Sequence, residues 1–264
     1  MKYIASRENP VFQRALRIAQ GKRDMSRPSR EGRPALLEGV HLCQAWLQHM
    51  GLPETALFDA QRLESNTELR ALASEVPEGV AVACEAKLMR ALSQVEQGQG
   101  VFFIVHVPAA ALPGRIAHNC LCLDRVQDPG NVGALLRTAA ASGIRHAYLS
   151  AGCAAAWSGK ALRSGQGAHF VMEIHEHVDL LDLRGRLDVP MLATSLERAQ
   201  ALYEAPLPAR CAWFFGNEGQ GLAAPLLQAA DRRVFIPQDS AVESLNVVVA
   251  AGVCLFEQRR QHAQ

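Results

Sequence analysis

The chain alternates between segments with apolar residues at helical spacing and short, nearly continuous apolar runs. In the first part, the helical spacing predicts helices and the runs predict strands. The predicted helices are at 10–20, 41–50, 67–76 and 87–95, and the predicted strands at 35–38, 56–58, 80–84 and 101–107. Because helices and strands alternate, this part is expected to form a small α/β domain.

The alternation stops at residues 108–118. The segment Pro108–Gly114 contains two prolines and a glycine, and Pro113 would break a helix. We therefore predict a linker at 108–118, between an N-terminal domain at 1–107 and a C-terminal domain at 119–264. In the latter, apolar runs predict strands at 120–123, 147–149, 170–174, 191–193, 212–215 and 234–236. Helical segments separate most of them, which predicts a mainly parallel sheet with ligands bound beyond the carboxyl ends of its strands.

Composition narrows the class of protein. Of the 264 residues, 49% are hydrophobic, which is enough for real cores. No uncharged apolar run reaches the length of about 18 residues that spans a membrane, and no secretory signal begins the chain, so we expect a cytoplasmic protein. The seven cysteines include no Cys-x-x-Cys pair, which predicts reduced core residues. His175 and His177 share a side of a predicted strand but lack a third ligand, so no metal site is expected.

Positive charge is concentrated near the N-terminus. Residues 1–40 contain nine Lys or Arg against four Asp or Glu, whereas the rest of the chain is mildly acidic. A basic arm is typical of nucleic-acid binding, although solvated basic ends are also common. The candidate contacts are Arg14, Arg17, Lys22 and Arg23, with Lys160 and Arg163 as an alternative docking site in the C-terminal domain.

Three loops after predicted strands contain the candidate chemistry. The first reads Asp-Arg-Val-Gln-Asp-Pro-Gly-Asn-Val-Gly over 124–133 and enters a helix, with Asn131 at its start and Arg137 off its apolar stripe. The second reads Gly-Asn-Glu-Gly-Gln-Gly-Leu over 216–222, and its glycines lack the spacing of a dinucleotide-binding turn. Taken alone, Asn131 is also a possible helix N-cap, and Arg137 an ordinary solvated charge.

The third loop begins at Ile236-Pro and ends in Glu-Ser-Leu-Asn-Val over 243–247. It leads into a helix that is apolar nearly all round, so this helix must be covered by the sheet or by another subunit. Ser244 is a serviceable N-cap for the helix, and Asn246 needs a hydrogen-bond partner if it is buried.

Taken in order, the three segments resemble the three motifs of the SpoU family of RNA ribose methyltransferases, within the SPOUT superfamily. The resemblance covers residues 119–260 closely. The N-terminal part resembles more loosely a ribosomal-protein-like domain that holds substrate, through Ser6–Pro10 and Leu37–Gly39. The resemblance implies an α/β fold with a deep trefoil knot and a homodimer built on the last helix. It also implies methylation of a ribose 2′-hydroxyl in structured RNA, ribosomal ahead of transfer RNA, with S-adenosylmethionine as donor and no metal.

The resemblance also implies roles for particular residues. The implied cofactor-binding residues are Thr194, Ser195, Gly216, Asn217, Gly219, Ile236 and Leu245. The implied active-site residues are Asn131, Arg137, Glu218, Ser244 and Asn246. We expect Arg137 to clamp a substrate phosphate and stabilise the developing alkoxide, because guanidinium holds its proton too firmly to act as a base.

Some positions depart from the usual pattern of the family. Gln238 and Ser240 replace the usual Met and Gly, and Val248 replaces a usual Ser, which bears on cofactor affinity and not on the reaction class. Two alternative functions stay open at this point. One is a non-catalytic RNA-binding or ribosome-assembly protein with this fold, and the other is a methyltransferase of this fold that acts on a base.

Overall fold

The computed structural model describes residues 1–21, 32–108 and 110–263. They form two compact units, one within 1–109 and 157–170, the other within 110–156 and 171–264. Residues 157–170, which the predicted boundary assigns to the C-terminal domain, therefore group with the N-terminal unit. There, Phe170 packs edge-on against Trp46 with ring centroids 5.3 Å apart.

The N-terminal unit is built on a mixed five-stranded sheet. Its strands are β1 (Lys2–Ile4), β2 (Arg33–Glu38), β3 (Thr55–Asp59), β4 (Ala81–Cys84) and β5 (Val101–Val107). Its helices up to this point are α1 (Pro10–Ala19), α2 (Val40–His49), α3 (Ala60–Ser65), α4 (Thr67–Ser74) and α5 (Ala86–Leu92). The strand order is β1-β4-β3-β5-β2, with β5 antiparallel to both of its neighbours. The small α/β domain predicted from the apolar pattern is therefore present.

Local sequence signals explain where the helices of this unit begin. The Asn9 side chain accepts a hydrogen bond from the Val11 N–H at 2.9 Å, and Pro10 occupies the first turn of α1. The apolar side of α1 then packs on the sheet through Phe12 and Ala15, which are fully buried.

The C-terminal unit contains a seven-stranded sheet. Its strands are β6 (Cys120–Leu123), β7 (His146–Leu149), β8 (Glu173–His175), β9 (Met191–Thr194), β10 (Gln200–Ala201), β11 (Ala212–Phe215) and β12 (Arg232–Phe235). The remaining helices are α6 (Pro129–Ser142), α7 (Gly159–Gly165, grouped with the N-terminal unit), α8 (Leu180–Arg184), α9 (Ala224–Ala229) and α10 (Val247–His262). Every strand pair in the sheet is parallel, and the order is β10-β12-β9-β11-β6-β7-β8.

This topology confirms the predicted parallel sheet and determines where its loops meet. All residues of β6 and β11 are buried, as expected for central parallel strands. Because β12, β9 and β11 are neighbours, the loops that follow them emerge at the same edge. One prediction is wrong: the strand expected at 170–174 is a 3-10 turn followed by β8 at Glu173–His175. No helix in the described ranges is both long and apolar enough to cross a membrane.

Candidate active site

A cleft of about 590 Å³ lies at the carboxyl ends of β9, β11 and β12. Its volume is in the range typical of small-molecule sites. All seven residues predicted to bind the cofactor line it, together with Glu218, Ser244 and Asn246 from the predicted active site. The parallel topology thus brings together residues that are up to 52 positions apart in the sequence, from Thr194 to Asn246.

The loop between β11 and α9 forms a closed turn on one side of this cleft. Asn217 and Gly221 exchange two backbone hydrogen bonds of 3.1 and 2.9 Å, and the Asn217 side chain accepts from the N–H groups of Gly219 and Gln220 at 3.0 Å each. A Cβ atom on Gly216 would lie only 2.1 Å from the carbonyl carbon of Gly221. Glycine is therefore required at position 216, because the loop folds back onto its own backbone.

A chain of hydrogen bonds links one residue from each of the three motifs. Asn131 Nδ2 donates to Glu218 Oε1 at 3.0 Å, and Asn246 Nδ2 donates to Asn131 Oδ1 at 3.4 Å. Glu218 also accepts from the backbone N–H groups of Gln127 and Asp128, both at 3.3 Å. The carboxylate of Glu218 therefore ties the loop after β6 to the loop after β11.

The structure decides between the roles that the sequence left open for Asn131 and Ser244. Asp128, and not Asn131, caps α6, since its side chain accepts from the Asn131 N–H at 3.0 Å. Asn246, and not Ser244, caps α10 by accepting from the Val248 and Val249 N–H groups at 2.8 and 3.4 Å. Asn131 and Ser244 are thus free of a capping role.

Among the described residues, the charged side chains that line the cleft are all acidic. The three carboxylates are those of Glu197, Glu218 and Glu243. Partial burial favours a higher pKa for Glu218, but the hydrogen bonds from Asn131 and from backbone N–H groups outweigh it and lower the pKa. Glu218 is therefore ionised at neutral pH. A cleft of this charge favours a cationic ligand over a phosphate.

Arg137 is exposed on α6 and does not line the cleft. Within the described part of the chain, its side chain has no hydrogen bond or ion pair. Asn131 lies on the same helix and also does not line the cleft, but hydrogen bonds join it to Glu218 and Asn246, whereas no such bond joins Arg137 to the described site residues. Gln238, one of the departures from the family pattern, lines the cleft, and its amide donates to the carbonyl groups of Val242 and Glu243 at 3.1 and 3.3 Å.

Two of the predicted nucleic-acid contacts are occupied by other residues of the N-terminal unit. The Arg14 side chain is only 15% exposed and forms an ion pair with Glu54, which also contacts His106 Nε2 at 2.7 Å. Arg163 lies 3.5 Å from the Glu38 carboxylate. The prediction did not anticipate these pairs, because their partners are 40 and 125 positions away in the sequence.

Two of the other predicted contacts are exposed. Arg17 is exposed near the end of α1, and Lys160 is exposed in the first turn of α7. Lys22 and Arg23 lie outside the described residues.

The histidines considered as metal ligands do not form a site. His175 is buried, contacts Glu173 at 2.8 Å and stacks on Tyr148, whereas His177 is exposed. In the described parts of the chain, no group of three or more His, Cys, Asp or Glu side chains is arranged to hold a metal ion. His175 is therefore a core residue.

Comparison with known proteins identifies the family. The SpoU rRNA Methylase family matches residues 118–256. An uncharacterized tRNA/rRNA methyltransferase of Synechocystis sp. is 34% identical over 98% of this chain and 93% of its own length. The 23S rRNA (guanosine(2553)-2′-O)-methyltransferase RlmP of Bacillus subtilis is 33% identical over 85% of this chain and 88% of its own length.

Solved structures agree with this result. A crystal structure of an RNA 2′-O ribose methyltransferase matches with a TM-score of 0.81 and 26% identity, over 99% of this chain and 100% of that one. An AdoMet-bound rRNA methyltransferase from Sinorhizobium meliloti, 24% identical with a TM-score of 0.81 over 100% of this chain and 99% of that one, has the same fold. The resemblance seen in the three motifs is confirmed, and this chain belongs to the SpoU rRNA Methylase family.

Proposed function

We propose that this protein methylates a ribose 2′-hydroxyl of structured RNA, with S-adenosylmethionine as methyl donor and ribosomal RNA as the substrate class. The observation that carries the proposal is the hydrogen-bonded chain from Asn246 through Asn131 to Glu218, at a cleft lined by every predicted cofactor residue. A similar protein also supports the proposal, since RlmP of Bacillus subtilis is a 23S rRNA 2′-O-methyltransferase.

The cleft fits S-adenosylmethionine in volume and in charge. We expect backbone groups of Gly216 and Ile236, which line the cleft, to form hydrogen bonds with the nucleoside. S-adenosylmethionine carries two positive groups, a sulfonium and an ammonium, and one negative carboxylate. Its net positive charge therefore complements the carboxylates of the cleft. Among the described residues, no Lys or Arg lines the cleft, which argues against a nucleotide cofactor, because its phosphates require cationic or N–H donors.

The reaction requires orientation of a ribose oxygen and removal of its proton. The cofactor, when bound, supplies a methyl group activated by the sulfonium. Asn131 is held at both ends of its amide, by Glu218 and by Asn246, so its position is fixed before substrate binds. We propose that Arg137 clamps a phosphate next to the reacting ribose and stabilises the developing alkoxide.

We propose that the protein is a homodimer in which α10 is covered by a second copy. Val249 and Phe256 are 52% and 47% exposed, and their spacing of seven residues places them on the same side of the helix. Phe256→Glu should yield monomers in light scattering, whereas the same change at Leu181, an apolar residue of α8 that is 48% exposed, should not. A wild-type monomer at micromolar concentration would contradict the proposal. We also propose the trefoil knot that is typical of this fold.

We propose that residues 1–107 hold the RNA, through Arg17 together with Lys22 and Arg23, while Lys160 adds a further phosphate contact. Arg14 leaves this set because its ion pair with Glu54 already uses its charge. Each lost phosphate contact should reduce the logarithmic salt slope of RNA binding by about 0.7 to 0.9, without effect on cofactor affinity. An unchanged slope in a variant neutralised at 17, 22 and 23 would contradict this role.

The decisive experiment for the activity uses radioactive S-adenosylmethionine and total RNA from cells that lack the gene. Incorporated label should appear in 2′-O-methylnucleosides after complete digestion. Label in a methylated base would show the alternative base methyltransferase. Saturable RNA binding without incorporation, across ribosomal and transfer RNA, would show the non-catalytic alternative.

A further inference from the structure

The two residues that begin the first motif loop, Asp124 and Arg125, form hydrogen bonds with three residues of the glycine-rich loop 216–222 and with both residues that flank it. The Asp124 backbone N–H donates to Phe215 O at 2.9 Å, and its carboxylate accepts from the Ala223 N–H at 3.0 Å. Phe215 and Ala223 directly flank the loop. Asp124 thus holds both ends of the loop, and with its side chain 6% exposed it is shielded from water.

Arg125 holds the middle of the same loop. Its Nη1 donates to Gln220 Oε1 at 2.9 Å, and its Nη2 to Gly221 O at 3.3 Å. Its own carbonyl oxygen accepts from Asn217 Nδ2 at 2.9 Å. The guanidinium also reaches the Asp124 carboxylate through Nε and Nη2, at 3.2 and 3.1 Å. One planar fork therefore joins a buried carboxylate to two residues of the cleft wall.

The backbone at Arg125 has a conformation that is unusual for arginine. Its φ angle is 55°, in the left-handed region where glycine or asparagine is the ordinary choice. The Arg125 N–H is fixed by Ser150 Oγ at 2.9 Å. A Cβ atom on Gly152 would lie 2.7 Å from Arg125 Cγ, so the stem of the side chain packs directly on that glycine. An arginine in this conformation is explained by the bonds of its guanidinium.

We infer that Asp124 and Arg125 are positioning residues that set the cofactor-binding shape of loop 216–222 from outside the cleft. Neither residue lines the cleft, whereas Asn217, Gln220 and Gly221, which Arg125 binds, all do. The loop also contains Glu218, so the same contacts determine the position in which the Glu218 carboxylate accepts a hydrogen bond from Asn131. The inference rests on the proposed function, since it takes the ligand of this cleft to be S-adenosylmethionine.

The test compares Arg125→Ala, Arg125→Lys and Gly152→Ala, with Arg186→Ala as the matched control. Arg186 forms an ion pair with Asp182 in the same unit, and neither lines the cleft. Arg125→Ala should raise the Kd for S-adenosylmethionine by about tenfold or more in calorimetry, the equivalent of one lost hydrogen bond to a charged group. Gly152→Ala should act in the same direction, because it displaces the stem and removes no polar group.

Arg125→Lys separates positioning from simple stabilisation. The ammonium keeps the attraction to Asp124 but cannot span Gln220 and Gly221 as well, so the unfolding temperature should recover while the Kd does not. Recovery of both together would overturn the inference, as would a wild-type Kd in Arg125→Ala.

Hydrogen exchange of the unliganded protein tests the positioning role of Arg125 independently of the proposed methyltransferase function. Arg125→Ala should speed exchange within 216–222, while Arg186→Ala should leave it at the wild-type rate. If the wild-type protein binds no S-adenosylmethionine, the proposed function fails, and this measurement still decides the positioning role. Exchange in 216–222 that stays at the wild-type rate in Arg125→Ala would overturn it.

Discussion

Asn246 has two tasks that a pair of substitutions can separate. Its Oδ1 caps α10, and its Nδ2 donates to Asn131. Asn246→Ala removes both, and loss of an N-cap costs about 1 kcal/mol of the free energy of unfolding. For a protein of this size, that corresponds to a decrease of about 2–4 °C in Tm. Turnover should fall as well, because Asn131 loses one of the two bonds that hold its amide.

Asn246→Asp should affect turnover alone. A carboxylate caps a helix as well as an amide does, and its charge is favourable at the helix N-terminus, so stability should be kept. However, a carboxylate oxygen would face Asn131 Oδ1 across 3.4 Å, where the wild-type protein has an N–H donor. The Asn131 amide must then rotate toward residue 246 and leave Glu218. One such bond is worth about 1.4 kcal/mol, so methyl transfer should fall by about tenfold or more.

Urea unfolding and transfer of radioactive methyl groups to RNA measure the two effects. Asn66→Ala provides the control, since the Asn66 side chain caps α4 by accepting from the Leu69 N–H at 3.0 Å. It should lower stability like Asn246→Ala and leave turnover at the wild-type level. The reasoning is refuted if Asn246→Asp transfers methyl groups as fast as wild type, or if it is as unstable as Asn246→Ala.

Three further predictions follow from other contacts. Arg137→Ala should lower methyl transfer about a hundredfold with cofactor affinity unchanged, and Arg137→Lys should rescue little; wild-type turnover in either would disprove the role. Gln258→Ala should cost about 2–4 kcal/mol in urea unfolding, because buried Gln258 accepts from Trp213 Nε1 at 2.8 Å. The rings of His118 and His146 stack with centroids 3.7 Å apart, and burial lowers the pKa of both. The folded state therefore binds protons less readily than the unfolded state, in which both side chains are solvated. The urea midpoint should therefore fall as the pH drops below about 6.5, and less so in His118→Phe.

The elements that the sequence predicts best are buried strands with clear ends. The bounds of β5, β6 and β11 agree with the predicted ranges 101–107, 120–123 and 212–215. Each is a nearly continuous apolar run that is followed directly by glycine, proline or a polar residue, and burial on both faces preserves that pattern. By contrast, β1 and β10 contain three and two residues, too few for a period to show. Residues 170–171 are apolar like a strand but belong to a 3-10 turn.

The sequence predicted which residues belong to the candidate site, but it did not predict the long-range hydrogen bonds and ion pairs between residues. The motif order placed the cofactor residues at one cleft, because parallel strands bring successive loops to one edge. The Asp128 cap could have been recognised from Pro129, since proline prefers the first helical position. No local rule joins Arg14 to Glu54, or Arg125 to Gln220, because those pairs depend on how distant segments pack.

The distribution of charge indicates that the cofactor and the RNA bind to different surfaces of the protein. S-adenosylmethionine has a net positive charge and RNA a negative one, so a single surface cannot attract both. Of the described charged residues, only Glu197, Glu218 and Glu243 line the cleft, and their carboxylates repel phosphates, so the cofactor is the favoured ligand. We therefore propose that phosphates are held by cations outside the cleft, such as the exposed Arg137 and basic residues of the N-terminal part. Only the ribose of the target nucleotide then needs to approach the acidic cleft, which is the group that the reaction modifies.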